Sequence, residues 1–196
     1  RSRADRAARG GTAWVLPVRR PAAAKTHSRR QGPRVGKIMM LVRSIAPSDE
    51  EAYRTILEST TAEDRYCRFF HLVDHFDPEE VQRFVEDRAD TIGVIAFDDT
   101  VPLGAAHAVL VDEESAELAI VVARGTRHAG IGTALLDALI ERVKERGLRR
   151  LVACALRENT AFVHLARHAG FRVDEAAGAT QHWVLPLTVD HGVAAS

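Results

Sequence analysis

The sequence predicts an α+β fold: one domain with a mixed, mostly antiparallel central sheet flanked by helices, preceded by a disordered tail. Three observations carry that prediction. Apolar runs of strand length are joined by short acidic turns in the middle of the chain, two helical repeats in the second half are each closed by glycine, and composition shifts sharply near residue 38. The chain has 196 residues and balances 27 Lys+Arg against 27 Asp+Glu. That balance averages two unlike parts. Residues 1–37 hold eleven basic side chains and one acid, Asp5, a net of +10, whereas the remaining 159 residues stand at −10. The first segment is rich in Ala, Gly, Pro and Arg without apolar periodicity, so it cannot bury enough surface to offset the entropy of ordering. Three readings of it stay open: a dispensable solvated extension, sequence upstream of a native start at Met39 or Met40, or an anion-binding arm or transit peptide. The folded domain is expected over 38–188, with 189–196 a short C-terminal tail.

The elements follow in order. Ile38 to Ile45 is an apolar run closed by Pro47 and reads as the first strand. Ser48-Asp49-Glu50-Glu51 opens an amphipathic helix through Tyr53, Ile56 and Leu57, its acids in the first turn where the helix dipole favours them. A second helical stretch covers about 62–72. Asp77-Pro78 starts a third, an N-cap followed by proline at the first helical position. Thr91 to Phe97, Pro102 to Val111 and Ala116 to Ala123 alternate as strands, separated by Asp98-Asp99-Thr100 and Asp112-Glu113-Glu114, which are hairpin turns and make this part of the sheet antiparallel. Ile131, Leu135, Ala138, Leu139 and Val143 recur at helical spacing up to the C′ glycine Gly147. Arg149 to Leu156 is a strand, Asn159 to Ala169 a helix closed by Gly170, and Phe171 to Asp174 and His182 to Leu187 are closing strands.

The informative segment runs from Val121 through Gly125, Arg127, Gly130 and Gly132 to Thr133. A strand enters glycines and then a long helix, so backbone N–H groups and the helix N-terminus point at one centre, which suits phosphate. Gly125 and Gly130 have P-loop spacing, but Ile131-Gly132 stands where Lys-Ser/Thr must follow. The dinucleotide fingerprint needs a third glycine where Leu135 lies. Arg127-x-x-Gly130-x-Gly132 remains, a pyrophosphate-binding loop between a strand and a helix.

Set behind Glu117-Leu-Ala-Ile-Val-Val122, this loop resembles the acetyl-CoA-binding core of the GNAT (GCN5-related N-acetyltransferase) superfamily. Asn159 before a helix ending in Ala169-Gly170-Phe171 is similar to that superfamily's second block. The resemblance spans about residues 41–187. Within it, Arg65-Tyr66-x-Arg68-Phe69-Phe70 and Glu117, thirteen residues before Gly130, resemble the acetyltransferase domain of bacterial Pat-type protein lysine acetyltransferases.

The resemblance implies a GNAT fold and direct transfer of an acetyl group from acetyl-CoA to an amine, a protein lysine first. The alternatives are a small-molecule amine or amino acid as acceptor, and a non-catalytic acyl-CoA-binding sensor. Glu117 is implied as the general base. Taken alone, the only acid in an apolar strand reads first as an exposed continuation of the acidic turn before it, and the resemblance reverses that order; an apolar strand would raise its pKa and improve it as a base. The backbone of Ile120, Val121 and Val122 is implied to pair with the pantetheine arm and to supply an oxyanion donor. Arg127, His128, Ala129, Gly130, Gly132 and Thr133 are implied to hold the pyrophosphate. Asn159 reads alone as an N-cap; the resemblance adds a pantetheine contact. One departure matters: the tyrosine that often follows that asparagine by seven residues, as general acid for the thiolate, is Ala166 here.

No metal is expected. His71/His75 and His164/His168 have helical i, i+4 spacing, but neither pair has an HExxH glutamate or an evident third ligand. Cys154 reads as core. Arg65, Tyr66, Arg68, Phe69 and Phe70 are candidates for the acceptor site or for helix packing. Two cysteines cannot build a disulfide framework, and no run approaches the roughly 20 apolar residues of a membrane span. The expectation is a cytoplasmic monomer or homodimer with no nucleic-acid or membrane partner.

Overall fold

The structure, a computed structural model, describes residues 14–15, 40–69, 76–86, 88–125 and 130–188. The expected loop residues Arg127, His128 and Ala129, the end of the second helix, residues 189–196 and all of the tail but two residues lie outside the described residues. Those two form a strand that the composition does not predict: β1, Trp14–Val15, lies parallel to Ala119 and Ile120.

Strand β2 (Met40–Ser44) leads through a 3-10 turn, Pro47–Asp49, into α1 (Glu50–Glu58). The helix begins two residues later than the acidic run suggests, because Asp49 turns its carboxylate back. It accepts from the Ala46 N–H at 2.8 Å and from the Arg43 guanidinium at 2.7 Å on each oxygen, and does not cap α1. Helix α2 (Ala62–Phe69) is opened by a reciprocal pair: Asp64 N–H donates to Thr61 Oγ1, and Thr61 N–H donates to Asp64 Oδ2. Helix α3 (Pro78–Val85) is capped as its sequence dictates, Asp77 accepting from the Glu79 N–H at 2.9 Å.

Strands β3 (Thr91–Asp98), β4 (Val101–Leu110) and β5 (Ser115–Val122) form the expected antiparallel meander. Helix α4 (Ile131–Glu145) ends as a Schellman motif, with Leu148 N–H on Val143 O and Gly147 N–H on Lys144 O, Gly147 at φ 78°. Strand β6 (Arg150–Leu156), helix α5 (Thr160–His168) and the hairpin β7 (Arg172–Ala177) and β8 (Thr180–Pro186) complete the domain. The main sheet runs β2-β3-β4-β5-β6-β8-β7, with β1 beside β5. β5 and β6 are parallel, and every other neighbour on that path is antiparallel.

Alternation along β5 assigns its two faces. Ala116, Leu118 and Ile120 join the larger core with Leu135, Leu136 and Leu139 of α4, Phe162 of α5 and Trp183 of β8. Val121 packs on the other face with Tyr53 and Ile56 of α1 and Val81 and Val85 of α3, while Ala119 meets Phe76 and Phe84. Glu117 lies at the same parity as Ala119 and Val121, so it belongs to the face that α4 and α5 do not cover.

Candidate active site

β5 and β6 pair over three positions only, Ser115 with Arg150, Ala116 with Leu151 and Glu117 with Val152. Beyond Glu117 the strands part, while β4 follows β5 as far as Val122. One edge of β5 is thereby released from β6 from Leu118 onward, and its backbone groups can pair with something else. Trp14 and Val15 take part of that edge, opposite Ala119 and Ile120. On the opposite edge β4 approaches closely at Gly104, where an added Cβ would lie 2.6 Å from the Val121 carbonyl oxygen and 3.2 Å from Val122 Cα. Only glycine lets the two strands run this near.

Glu117 stands at the fork. It is half-buried, and burial holds its carboxyl above the ordinary carboxylate range, with no other cause contributing. A carboxylate with a raised pKa is a stronger base once ionised. Cys154, expected to be core, is instead half-buried; its thiol is pushed up by burial and secondarily by the negative charge of Glu117. Around them opens a cavity of about 290 Å³ whose lining includes Asp112, Glu117, Arg150, Cys154, Glu175 and His182. Neither Cys154 nor His182 stands out in the sequence. The signal that finds them is the strand register, in which Cys154 of β6 lies opposite His182 of β8, and this pairing is non-local.

At the other end of the fork, α4 begins. Gly130 is its N-cap at φ 75°, a left-handed conformation that a Cβ disfavours, and as glycine it brings no side chain to cap the helix. No acid occupies the first turn, so the helix terminus keeps its partial positive charge for an external anion. Gly132 lies beside Val122 and Leu165, its would-be Cβ at 3.8 and 3.7 Å from their side chains. The strand end, the helix start and α5 therefore converge, and Leu165 joins the neighbourhood without having been expected there. Arg124 N–H donates to Ser59 Oγ at 3.1 Å, tying the start of the loop to the end of α1.

Ile120 and Val121 are buried and Val122 is half-buried, so their side chains serve packing and the backbone edge that β6 leaves, held at Ile120 by β1, is what they can offer a ligand. Asn159 is wholly buried and accepts from the Phe162 N–H at 2.9 Å, the N-cap role its position suggests. Ala166 is likewise wholly buried in the larger core, so the position seven residues on faces packing. Among the described residues no group of three or more His, Cys, Asp or Glu has a metal-holding arrangement, and no helix is long and apolar enough to cross a membrane.

Comparison with known proteins agrees with this geometry. Residues 51–171 match the acetyltransferase (GNAT) family. The structure resembles the GNAT domain of PAT from S. lividans, with a TM-score of 0.70 and 24% identity, over 74% of this chain and 89% of that one. It resembles the ribosomal-protein-alanine N-acetyltransferase of Brucella melitensis, with a TM-score of 0.63 and 24% identity over 75% and 99% of the two chains. It also resembles the PaiA N-acetyltransferase of Thermoplasma acidophilum in complex with coenzyme A, with a TM-score of 0.62 and 18% identity over 76% and 99%.

Proposed function

Because the chain belongs to the acetyltransferase (GNAT) family, and so is an acetyl-CoA-dependent N-acetyltransferase, we propose that its acceptor is a protein lysine and that Glu117 is its general base. One observation carries this reading: Glu117 occupies the last paired position of β5 and β6 and opens into the cavity beside it. Acetyl-CoA supplies the acetyl group as an activated thioester. The chain's task is to free the amine, since a lysine with pKa near 10.4 costs about 4–5 kcal/mol to deprotonate at pH 7.

In this reading the backbone of Ile120, Val121 and Val122 pairs with the pantetheine arm and offers the oxyanion an N–H. Gly130, Gly132 and Thr133, with Arg127, His128 and Ala129, receive the pyrophosphate at the start of α4. Asn159 caps α5 and holds it in place beside the pantetheine. Transfer is direct, within a ternary complex. The protein-lysine assignment rests on the likeness to the S. lividans PAT domain and on the acidic lining around Glu117.

The burial of Ala166, where the resemblance would place a general acid, favours a second reading: a small amine or amino acid as acceptor, or a module that binds acyl-CoA without turnover. Glu117→Gln separates an enzyme from a binding module, and the acceptor panel separates protein lysine from small amine. An enzyme loses kcat by about 100-fold or more while keeping its acetyl-CoA affinity. If the wild type binds acetyl-CoA but acetylates nothing in a panel of proteins and small amines, the catalytic assignment of Glu117 fails.

A further inference from the structure

Resting on Glu117 as the base, we propose that His182 is the residue that carries the proton from Glu117 to solvent and resets the base each turnover. The need follows from the balance of the reaction. An ammonium acceptor must be deprotonated before its nitrogen can form the N–C bond to the acetyl carbon as the C–S bond of acetyl-CoA breaks, and over the whole transfer it gives up two protons. One goes to the departing thiolate to make the free thiol of coenzyme A. The other is left over, and Glu117 holds it until it can be passed on. Glu117 is half-buried at the fork of two strands, so this second proton needs a way out.

Strand register places one imidazole on that way. His182 of β8 lies opposite Cys154 of β6 on one side and opposite Glu175 of β7 on the other. Directly opposed residues share a sheet face, so Cys154, His182 and Glu175 form one rung, next to the rung that carries Glu117, Val152 and Val184. All of these line the same cavity of about 290 Å³. From strand spacing and rise, the Glu117 and His182 Cα atoms are roughly 12 Å apart. Both side chains stand on the same face of the sheet and line one cavity, through which the proton would pass between them.

His182 suits the task by elimination among the groups that face it. Arg150 of β6 cannot release a proton at working pH. The Cys154 thiol, pushed up by burial and by Glu117, keeps its proton. Asp112 beside β5, on the cavity wall with Asp174 and Glu175 of β7, is held below the ordinary carboxylate range by the Glu114 N–H and so takes up a proton poorly. Imidazole is the side chain whose ordinary charge change falls between pH 5 and 8, and His182 is exposed and can exchange with bulk water. Glu175 of β7 stands directly across from it in the sheet. His182 acts through Glu117 and does not touch the amine or the thioester.

The test is His182→Gln beside Glu117→Gln in the full chain, with acetyl-CoA affinity measured by calorimetry. His182→Gln should lower kcat about tenfold, less than the ~100-fold of losing the base itself, because water replaces a relay poorly but not never. KM for the acceptor and acetyl-CoA affinity should stay within twofold, the solvent isotope effect on kcat should grow, and added imidazole should restore kcat in proportion to its free-base form. A His182→Gln enzyme with unchanged kcat and isotope effect overturns the relay, provided Glu117→Gln is impaired. So does a loss of kcat that imidazole leaves unrepaired or that comes with lost acetyl-CoA affinity. If Glu117→Gln itself keeps kcat, the base assignment falls and the relay falls with it.

Discussion

Buried Asp49 and half-buried Glu117 are held in opposite ways. Asp49 is bound by the Arg43 guanidinium, which lowers its pKa, helped by the Ala46 N–H. Arg43 in turn lies 5.0 Å over the Phe97 ring. Replacing Asp49 with Asn should cost about 2 kcal/mol at neutral pH, the worth of a charge-assisted pair whose partner is left behind. A group with a depressed folded pKa adds stability above its unfolded value and loses it as pH falls through the folded one. The gap between wild type and Asp49→Asn, read by urea denaturation, should therefore close in acid. Glu117 has the reverse sign. Its raised pKa, caused by burial, means that ionisation works against the fold, so Glu117→Gln should be the more stable protein at pH 7 and lose that advantage as pH drops through the carboxylate range. A Glu117→Gln variant that melts lower than wild type at pH 7 would show that the carboxylate is structurally supported there. Neither sign was legible beforehand in full. The apolar neighbours of Glu117 suggested its direction, but the Arg43–Asp49 pair depends on how a 3-10 turn folds back, and the acidic run Ser48 to Glu51 read as plain helix start.

At the scale of elements, the site is made by where β5 stops pairing with β6 and where α4 begins. Gly132 and Gly104 separate the two contributions. An alanine at 132 meets Leu165 and Val122 at ordinary contact distances and gains helix propensity, so Gly132→Ala should leave the melting temperature unchanged or raised. Its methyl nevertheless stands at the turn proposed to receive the pyrophosphate, and acetyl-CoA affinity should fall about tenfold, some 1.4 kcal/mol. Gly104→Ala should do the opposite. Its Cβ collides with the Val121 backbone, which cannot swing aside as a side chain would, so about 1–3 kcal/mol of stability should go. Calorimetry with acetyl-CoA alongside thermal melts checks both, and equal effects at the two sites would remove the distinction. Helix ends were legible because their signals are local: Asp77-Pro78, Asn159 and Gly147 each sit where their caps require. The fork was not, since parallel pairing of β5 with β6 joins residues more than thirty positions apart, and no turn residue encodes where such a pairing ends. The Cys154–His182–Glu175 rung was hidden for the same reason.

The whole molecule divides into a segment at +10 and a domain at −10. A domain of that sign gives coenzyme A no long-range attraction, so anion affinity must be local, from loop N–H groups, the α4 terminus and nearby Arg side chains. The same sign favours a cationic acceptor, and the cavity beside Glu117 repeats it with Asp112, Asp174 and Glu175 against Arg150. The basic segment then meets the domain at one described place, where Trp14 and Val15 pair with Ala119 and Ile120 on the edge that β6 leaves free. A backbone edge accepts one partner at a time. If pantetheine uses Ile120 to Val122, β1 must leave before it can pair there. Removing residues 1–37 should accordingly leave the melting temperature within a few degrees of the full chain, because among the described residues those of the two larger hydrophobic clusters all lie after residue 39. Acetyl-CoA affinity should be equal or higher in the shorter chain, and the gain, if the strand competes, should vanish when a peptide of residues 1–37 is added back. Weaker acetyl-CoA binding after the deletion would mean that the segment's arginines help hold the pyrophosphate, and a large drop in melting temperature would mean that β1 supports the sheet.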